Sequence, residues 1–428
     1  MKFYADLHIH SRYSRATSQD LNLEQLSYWA RLKGLQVIST GDCIHPQWLK
    51  ELKQKLEPAQ EGLFRLRKEH DTFASQRLPS ACQDELRFIL TTEISNIYKK
   101  DDKVRKIHNV VFLPDFEAAD IVQKRLDAIG NIRSDGRPIL GLDSRDLLEI
   151  VLESNPLSYL VPAHIWTPWF SVLGSKGGFD SIAHCFGDLT GHIFAVETGL
   201  SSDPPMNWRL SQLDDYVMIS CSDAHSAPKL GRESTIFDGD FSYPGIRNAL
   251  RGKGNRGLAG TVEFYPQEGK YHFDGHRNCQ TRMHPQETAR HKGLCPVCGK
   301  PVTVGVMARV EELADHPEGR RSPKARPFNS LIPLPEIIAD ARGTGPNSRG
   351  VGEVYMTLLA KLGNEMAILN DLPLDRIEKT AGSLITEGIR RVREGKVQIA
   401  AGYDGEYGKI EIFKESERRT AKEQMTLF

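Results

Sequence analysis

Short apolar runs that end near an acidic residue or a histidine recur along the first half of the chain. Each run is three or four residues long, and within four residues it reaches one of Asp6, Asp42, Glu93, His164, Glu197 and Asp223. Stretches with helical periodicity separate the runs, among them Ile121, Val122, Leu126 and Ile129. Strand and helix alternating in this way predict an α/β fold with a parallel sheet, either open or closed into a barrel.

The position of the polar residues favours the barrel. α/β barrels assemble their chemistry at the carboxyl ends of their strands, and nearly every run delivers its polar residue there. His108 is an exception, because it lies at the start of the run from Ile107 to Leu113.

Size and composition predict more than one domain. Single cores stop growing near about 250–300 residues, whereas this chain has 428. No run approaches the length of a membrane span and the start of the chain has no leader pattern, so we expect a cytoplasmic protein with no membrane partner. We further expect a monomer that associates with the nucleoid. The net charge is zero, so a nucleic-acid partner would require basic residues gathered on one face.

The sequence texture changes near residue 255, where Gly252 to Gly257 predicts a linker. We expect a barrel over residues 1–255 and a zinc-binding domain over 256–310. A mainly helical domain with a terminal hairpin should follow over 311–414, with a flexible tail over 415–428. Helical spacing in the third domain runs from Arg349 to Leu369 and from Arg376 to Val392.

A cluster of cysteines predicts one structural zinc ion. Seven cysteines are an odd number for a disulfide framework, and three of them lie close together. Cys295 and Cys298 form one ligand pair on a tight turn, and His276 with Cys279 forms a second pair, so the two can close a tetrahedron around Zn²⁺. His284 or His291 could replace His276, although the matching spacing favours His276.

The strongest chemical signal is the segment Asp6-Leu7-His8-Ile9-His10-Ser11. Alternate residues of a strand share a face, so both imidazoles can reach one metal ion. An isolated His-x-His is weak evidence, but here further nitrogen and oxygen ligands accompany it: Asp42, His45, Glu93, His108, His164, Glu197, Asp223 and His225. This mixture suits two to three Zn²⁺, Mn²⁺, Mg²⁺ or Fe²⁺ ions. Clustered ions can generate hydroxide for attack on a phosphoester.

These motifs resemble the PHP (polymerase and histidinol phosphatase) superfamily over about the first 240 residues. The resemblance implies a distorted (β/α)7 barrel with a trinuclear metal centre. One ion would be held by His8, His10, Glu93 and Asp223. Glu93 would bridge to a second ion held by His108 and His164, and a third would take Asp42 and His225.

Several roles follow from the same resemblance. The implied catalytic residues are His10, Glu93, Glu197 and Asp223. Glu197 would orient a water molecule or a metal-bound histidine. His45 would either add to the third ion or cap the helix that follows it.

A narrower resemblance is to the endonuclease Q family, carried by HSRYSRATSQDL from His10 and GPNSRGVGEVYMTLLAKLG from Gly345. It implies hydrolysis of DNA on the 5′ side of uracil, hypoxanthine, xanthine or an abasic site, with the lesion flipped out. Trp166, Trp169 and Phe170 could wedge or stack on DNA, or could pack a loop. Arg12 and Arg15 could clamp phosphates, or form ordinary salt bridges.

The last residues resemble a bacterial sliding-clamp binding peptide, in which Gln424, Leu427 and Phe428 would fill a groove on the clamp. Two other functions compete with the endonuclease. One is a phosphomonoesterase of the histidinol-phosphate phosphatase type, and the other is a non-catalytic DNA-binding module tethered to the clamp. The cysteine cluster and the terminal peptide argue against the first, and the full set of ligand residues argues against the second.

Overall fold

The computed structural model describes residues 1–252 and 257–418, which form an α/β fold. The strands are β1 (Lys2–Asp6), β2 (Val37–Ser39), β3 (Leu56–Pro58), β4 (Phe64–Leu66), β5 (Arg87–Lys100), β6 (Lys103–Leu113), β7 (Ile139–Leu140), β8 (Tyr159–Pro162), β9 (Ala195–Glu197), β10 (Val217–Ile219), β11 (Ser234–Asp238), β12 (Gly257–Glu263), β13 (Asp274–His276), β14 (Thr281–Met283), β15 (Phe328–Ser330), β16 (Gln398–Ala400) and β17 (Lys409–Glu411).

Helices fill most of the intervals between the strands and dominate the chain after β15. They are α1 (Leu23–Lys33), α2 (Pro46–Lys55), α3 (Thr72–Arg77), α4 (Phe116–Asp127), α5 (Ser144–Ser154), α6 (Ile182–Phe186), α7 (Pro204–Asn207), α8 (Tyr243–Leu250), α9 (Pro285–Arg290), α10 (Val306–Leu313), α11 (Leu334–Arg342), α12 (Arg349–Leu362), α13 (Leu374–Ala381) and α14 (Ser383–Arg393). None of the helices in the described ranges is long and apolar enough to cross a membrane.

The main sheet has the strand order β15-β12-β11-β1-β2-β5-β4-β3. β1, β2 and β5 run parallel to one another, and β6 continues the sheet by pairing with both β5 and β8. β9 and β10 form a separate parallel pair. The α/β class is therefore confirmed. Within the described residues the ladders do not close into a ring, so the seven-stranded barrel stays a prediction.

The central strands are buried on both faces, which explains why they read as continuous apolar runs rather than as alternating ones. On β1, Phe3 and Ala5 pack into one core together with Val37, Ile89 and residues of later strands. Tyr4 belongs to the other core, which lies among the helices. The site therefore stands on strands held by packing on both sides.

The sheet continues beyond the predicted boundary at residue 255. β12 pairs antiparallel with β11, and β15 pairs parallel with β12. The cysteine-rich segment is therefore an excursion between two strands of the main sheet.

The last part of the chain is helical, as expected, and ends in the hairpin of β16 and β17. The helices are shorter than the periodicity predicts. α12 ends at Leu362, with Gly363 as its C-cap, and Gly382 separates α13 from α14. Both glycines have positive φ, a conformation that disfavours other residues and ends a helix whatever its apolar spacing.

A buried ion pair joins the C-terminal helices to helix α1. The Nζ atom of Lys33, on α1, lies 2.7 Å from Glu365 Oε2, and each side chain is 4% exposed. The Tyr355 hydroxyl donates to Glu365 Oε2 (2.8 Å), and the Leu334 amide donates to Oε1 (3.0 Å). Lys33 on α1 therefore neutralises the charge of Glu365, and the C-terminal helices supply its other hydrogen bonds.

We predict that Lys33→Met lowers the free energy of unfolding by about 3–5 kcal/mol, because it leaves a buried carboxylate without its cation. Thermal and urea unfolding measure the loss. The matched control is Lys2→Met, which breaks a half-exposed pair with Asp371 and should cost less than about 1 kcal/mol. Equal losses in the two variants would contradict this view of the junction.

Candidate metal centre

The segment with His8 and His10 lies beside the segment with Asp223, because backbone hydrogen bonds continue the pairing of β1 beyond its last residue. Ile9 forms a parallel bridge with Ala224. The His10 amide donates to the Ala224 carbonyl (3.1 Å), and the Asp223 amide donates to the His8 carbonyl (3.0 Å). Residues more than 200 positions apart are thus held in register.

The first group of candidate ligands is His8, His10, Glu93 and Asp223, whose ligand atoms all lie within 4.8 Å of one another. His10 Nε2 is 3.0 Å from Asp223 Oδ1 and 3.2 Å from Glu93 Oε2. His8 Nε2 is 3.6 Å from the same oxygen of Glu93. The four side chains therefore converge on one point.

A second group, Glu93, His108 and His164, adjoins the first. The other carboxylate oxygen, Glu93 Oε1, lies 2.6 Å from His108 Nδ1 and 3.1 Å from His164 Nε2. Each oxygen of Glu93 thus faces a different group. This geometry matches the bridging carboxylate that the resemblance implies.

The chemistry of the donor atoms fits a divalent ion. Three buried atoms of the first group, His8 Nε2, His10 Nε2 and Asp223 Oδ1, lie close together but form no hydrogen bond of acceptable geometry within the described structure. A buried polar atom left in this state costs about 1–3 kcal/mol. A cation at the point of convergence would satisfy all three together.

Two carboxylates behind the histidines fix their orientation. Both oxygens of Glu197 lie 3.0 Å from His8 Nδ1, and Oε2 also accepts from the His164 amide at 2.7 Å. Asp42 Oδ1 lies 3.2 Å from His10 Nδ1. Each contact places the proton on Nδ1 and leaves Nε2 free for a metal ion. The role of orienting a histidine, one of the two expected for Glu197, therefore agrees with its position.

The structure does not bring Asp42 and His225 into a third group of ligands. Asp42 Oδ2 accepts from the Ser11 amide (2.7 Å), the Ser11 hydroxyl (2.6 Å) and the Ser14 hydroxyl (2.9 Å). His225 Nδ1 lies 2.9 Å from the Asp223 carbonyl oxygen. The three donors of Ser11 and Ser14, together with His10 Nδ1, already engage Asp42, so its geometry favours a role in positioning His10, and the ligand role stays a prediction.

His45 is the N-cap residue of α2 and belongs to neither group of candidate ligands among the described residues. Its Nε2 atom lies 3.0 Å from the Arg133 carbonyl oxygen, and its ring stacks on Tyr13 with the centroids 4.5 Å apart. It precedes α2, but its side chain makes no capping hydrogen bond.

The cations around Glu93 offset its burial. Burial acts to raise the pKa of this carboxyl group, but the charge of Arg137 and the contacts with the surrounding histidines hold the pKa well below its usual range. Burial lowers the pKa of His108 to about 4. Glu93 is therefore an anion and His108 a neutral imidazole, and these are the forms that bind metal ions.

Strained backbone marks three residues of the site. Asp42, His164 and Asp223 have positive φ angles of 49°, 27° and 47°. Such conformations are uncommon for residues other than glycine and concentrate at functional sites. Gly199 allows the strained turn at His164, because a Cβ atom there would lie 2.3 Å from His164 Cβ.

Arg137 is a site residue that the sequence analysis missed. Its Nη1 atom lies 3.2 Å from Glu93 Oε2. The segment that carries it is held in place by Asp135, which accepts from the Arg15 and Arg137 amides, and by the Gly136 amide, which donates to the Tyr13 carbonyl. Arg137 follows a polar loop instead of an apolar run, so no pattern pointed to it.

The expected DNA-contacting residues fall into two sets. Trp166 is 1% exposed and donates to Asn207 Oδ1 (2.7 Å), so it packs the core and cannot stack on DNA. Arg12 pairs with Glu51 (2.8 Å), which is the ordinary salt bridge allowed for above.

The second set is exposed. Trp169 is 46% exposed, and the Arg15 side chain is 72% exposed and lies 3.3 Å from Asp135. Trp169 and Arg15 remain available to a ligand.

The zinc-ligand candidates also converge. The ligand atoms of His276, Cys279, Cys295 and Cys298 all lie within 4.8 Å of one another. His276 and Cys279 come from the hairpin of β13 and β14, and a turn closed by the Gly299 amide on the Cys295 carbonyl (2.8 Å) carries the other pair. His284 instead lies 3.2 Å from Glu318. The spacing argument for His276 over His284 and His291 thus agrees with the structure.

We predict that Cys298→Ser lowers the zinc content of the purified protein by one ion per chain, because a tetrahedral site needs all four ligands. Elemental analysis measures the content. His284→Ala and His291→Ala are the controls and should keep the ion. Loss of zinc from either control, with retention in Cys298→Ser, would overturn the assignment.

Comparison with known proteins gives matches along nearly the whole chain. A family model described as the MJ0043 C-terminal domain matches residues 333–396. The uncharacterized protein YqxK of Bacillus subtilis (strain 168) is 30% identical, over 96% of this chain and 99% of its own length. The uncharacterized protein MJ0043 of Methanocaldococcus jannaschii is 34% identical over 61% of this chain, a match that spans only 33% of the archaeal protein.

Two solved structures match over the full fold. The lesion-specific endonuclease PfuEndoQ from Pyrococcus furiosus has a TM-score of 0.83 and 31% identity, covering 98% of this chain and 99% of its own. Endonuclease Q in complex with a 27-mer duplex carrying an abasic lesion has a TM-score of 0.81 and 32% identity, covering 97% and 98%. Similarity above 30% identity over nearly the full length of both proteins establishes that the chain belongs to the endonuclease Q family.

Proposed function

We propose that this chain is a metal-dependent DNA repair endonuclease. It hydrolyses the phosphodiester on the 5′ side of a deaminated base (uracil, hypoxanthine or xanthine) or of an abasic site. The observation that carries the proposal is the pair of ligand groups sharing Glu93, in a chain that matches lesion-specific endonucleases from end to end. That combination favours phosphodiester hydrolysis of DNA over a phosphomonoesterase or a binding module.

The residues of the centre would have different roles in the reaction. Bound divalent ions would supply an activated water and stabilise the charge on the phosphoryl oxygens. His8, His10, Glu93 and Asp223 would hold one ion, and Glu93, His108 and His164 a second. Glu197 and Asp42 contact the Nδ1 atoms of His8 and His10, and these contacts would orient the Nε2 atoms toward a bound ion.

Arg137 would bind a phosphate oxygen of the substrate. Its guanidinium group lies beside the shared carboxylate and is a quarter exposed. An arginine can offer two parallel hydrogen bonds to a phosphate, which fixes orientation as well as charge. Its place beside both groups would align the scissile bond with the two ions.

Aromatic residues, of which Trp169 is exposed, border the centre. The Phe170 ring lies 4.7 Å from the His108 ring, and the neighbouring Trp169 lies 6.1 Å from Tyr271. A lesion must leave the stack before its phosphodiester reaches the ions, at a cost of a few kcal/mol that is lowest for weakened pairs. Trp169 would fill or flank the gap that the flipped lesion leaves in the base stack, and Arg15 would contact the DNA backbone.

The remaining expectations extend the proposal without structural support. A third ion at Asp42 and His225 would require Asp42 to release its present donors. Clamp binding through Gln424, Leu427 and Phe428 falls on residues outside the described ranges and rests on the sequence alone. The domain limits, the monomeric state and a place at the nucleoid are proposals of the same kind.

We predict that Asp223→Asn lowers cleavage of lesion-containing duplexes more than about 100-fold. Removing a residue that only hydrogen-bonds to a metal ligand costs about 10- to 100-fold in activity, and removing a ligand itself should cost more. The substrates are labelled duplexes with one uracil, hypoxanthine, xanthine or abasic site, incubated with Mn²⁺, Mg²⁺ or chelator. The matched control is Asp102→Asn, at a side chain that is 97% exposed on a distant turn.

The outcome separates the candidate functions. A metal-dependent nick 5′ of the lesion, lost in Asp223→Asn and kept in Asp102→Asn, agrees with the proposal. Intact DNA together with rapid hydrolysis of a phosphomonoester would indicate a phosphatase. Binding without hydrolysis of either substrate would indicate a binding module.

A further inference from the structure

The tip of the cysteine-rich segment exposes apolar side chains. We define this knuckle tip as residues 290–301, which contain the turn between Cys295 and Cys298 and the bridge between Leu294 and Pro301. Leu294 is 41% exposed and Val297 is 70% exposed, and Val304 just beyond the tip is 51% exposed. Large apolar side chains exposed together, rather than singly, mark a surface that contacts another molecule.

The same segment is strongly basic in a chain with no net charge. Residues 276–305 contain one acidic residue, Glu287, and five basic ones: Arg277, Arg282, Arg290, Lys292 and Lys300. A zinc ion held by three thiolates and a histidine would add one negative charge, so the segment would still carry a clear positive excess.

Three of these cations are free to act on a partner. Among the described residues, none forms an ion pair with Arg290, Lys292 or Lys300, and all three are exposed. Most other arginines near acidic groups are paired, as Arg309 is with Asp180 and Glu312. Unpaired cations around an apolar point therefore characterise the knuckle tip.

The base of the cysteine-rich segment contacts the loop that follows His164. The Tyr271 ring contacts Trp169, five residues after His164, and the Tyr271 carbonyl accepts from the Val306 amide (2.7 Å). On the following helix, Arg309 donates to the carbonyls of Leu173 and Phe179. The base of the segment thus packs on the loop that follows a candidate metal ligand.

We propose that the knuckle tip docks on duplex DNA beside the lesion, with Lys292 and Lys300 on backbone phosphates and Val297 in the adjoining groove. This inference rests on the proposed function. A polyanion fits the three unpaired cations, and small apolar side chains flanked by cations are typical of surfaces that enter a DNA groove. The contact would lengthen the footprint on one side of the lesion.

The test measures Kd for a lesion duplex at several salt concentrations, in the presence of Ca²⁺ to prevent turnover. Lys292→Ala with Lys300→Ala should raise Kd by roughly 10- to 100-fold at about 0.1 M salt. It should also reduce the slope of log Kd against log salt by about two, because each phosphate contact contributes about 0.9. Val297→Ser should raise Kd and leave the slope unchanged.

The matched control is Lys50→Ala with Lys68→Ala. Both residues are exposed and make no ion pair among the described residues, and Lys68 lies beyond β4, near the edge of the sheet opposite β12. This control should not change Kd or the slope. Zinc content is measured in every variant, so that loss of the fold is not mistaken for loss of a contact.

A second arm locates the contact. Shortening the duplex to a few base pairs on one side of the lesion should abolish the difference between wild type and the double lysine variant, and shortening the other side should not.

If the wild type cleaves DNA but the lysine variant keeps its Kd and slope, the inference is wrong and the tip serves another partner, such as a protein. If the wild type fails to bind or cleave DNA, the proposed function is itself wrong.

Discussion

Burial of the Glu93 carboxylate is the interaction on which the rest of the site depends. An ionised carboxylate in a low-dielectric interior is stable only when cations or hydrogen-bond donors surround it. Here each oxygen faces its own set of histidine nitrogens, and Arg137 adds a fixed positive charge. The unpartnered atoms of His8, His10 and Asp223 leave the balance incomplete until a cation enters. A bound metal ion would thus supply the positive charge and the ligand contacts that the polypeptide alone lacks.

The fold supplies the rigidity that this arrangement needs. Strands packed on both faces carry Glu93 and His108, while hydrogen bonds between His8, His10 and the segment at Asp223 join the two ends of the first domain. Positive φ angles at Asp42, His164 and Asp223 show backbone strain stored next to the ligands. Such strain persists only where the surrounding structure holds it. The buried pair of Lys33 and Glu365 extends this rigidity to the C-terminal helices.

The parts of the site that follow a local pattern could be predicted from the sequence. Two imidazoles on one strand face, a carboxylate at a strand end and paired cysteines on tight turns each produce a recognisable spacing. Asp42 was harder, because its position matches that of a ligand and only the hydroxyls of Ser11 and Ser14 reveal its engagement. Arg137 and the burial of Trp166 depend on packing between distant segments, and the return of the chain to the sheet at β12 crosses a glycine-rich stretch typical of a linker. Pairing across such distances leaves no local trace.

The most direct test of the account is a crystal structure of the protein grown with Mn²⁺ and measured at the manganese absorption edge. The account predicts two anomalous peaks in the centre, one beside each oxygen of Glu93, with Asp42 still bonded to Ser11 and Ser14. A single peak, or an ion bound directly by Asp42 and His225 with neither oxygen of Glu93 in contact, would contradict it.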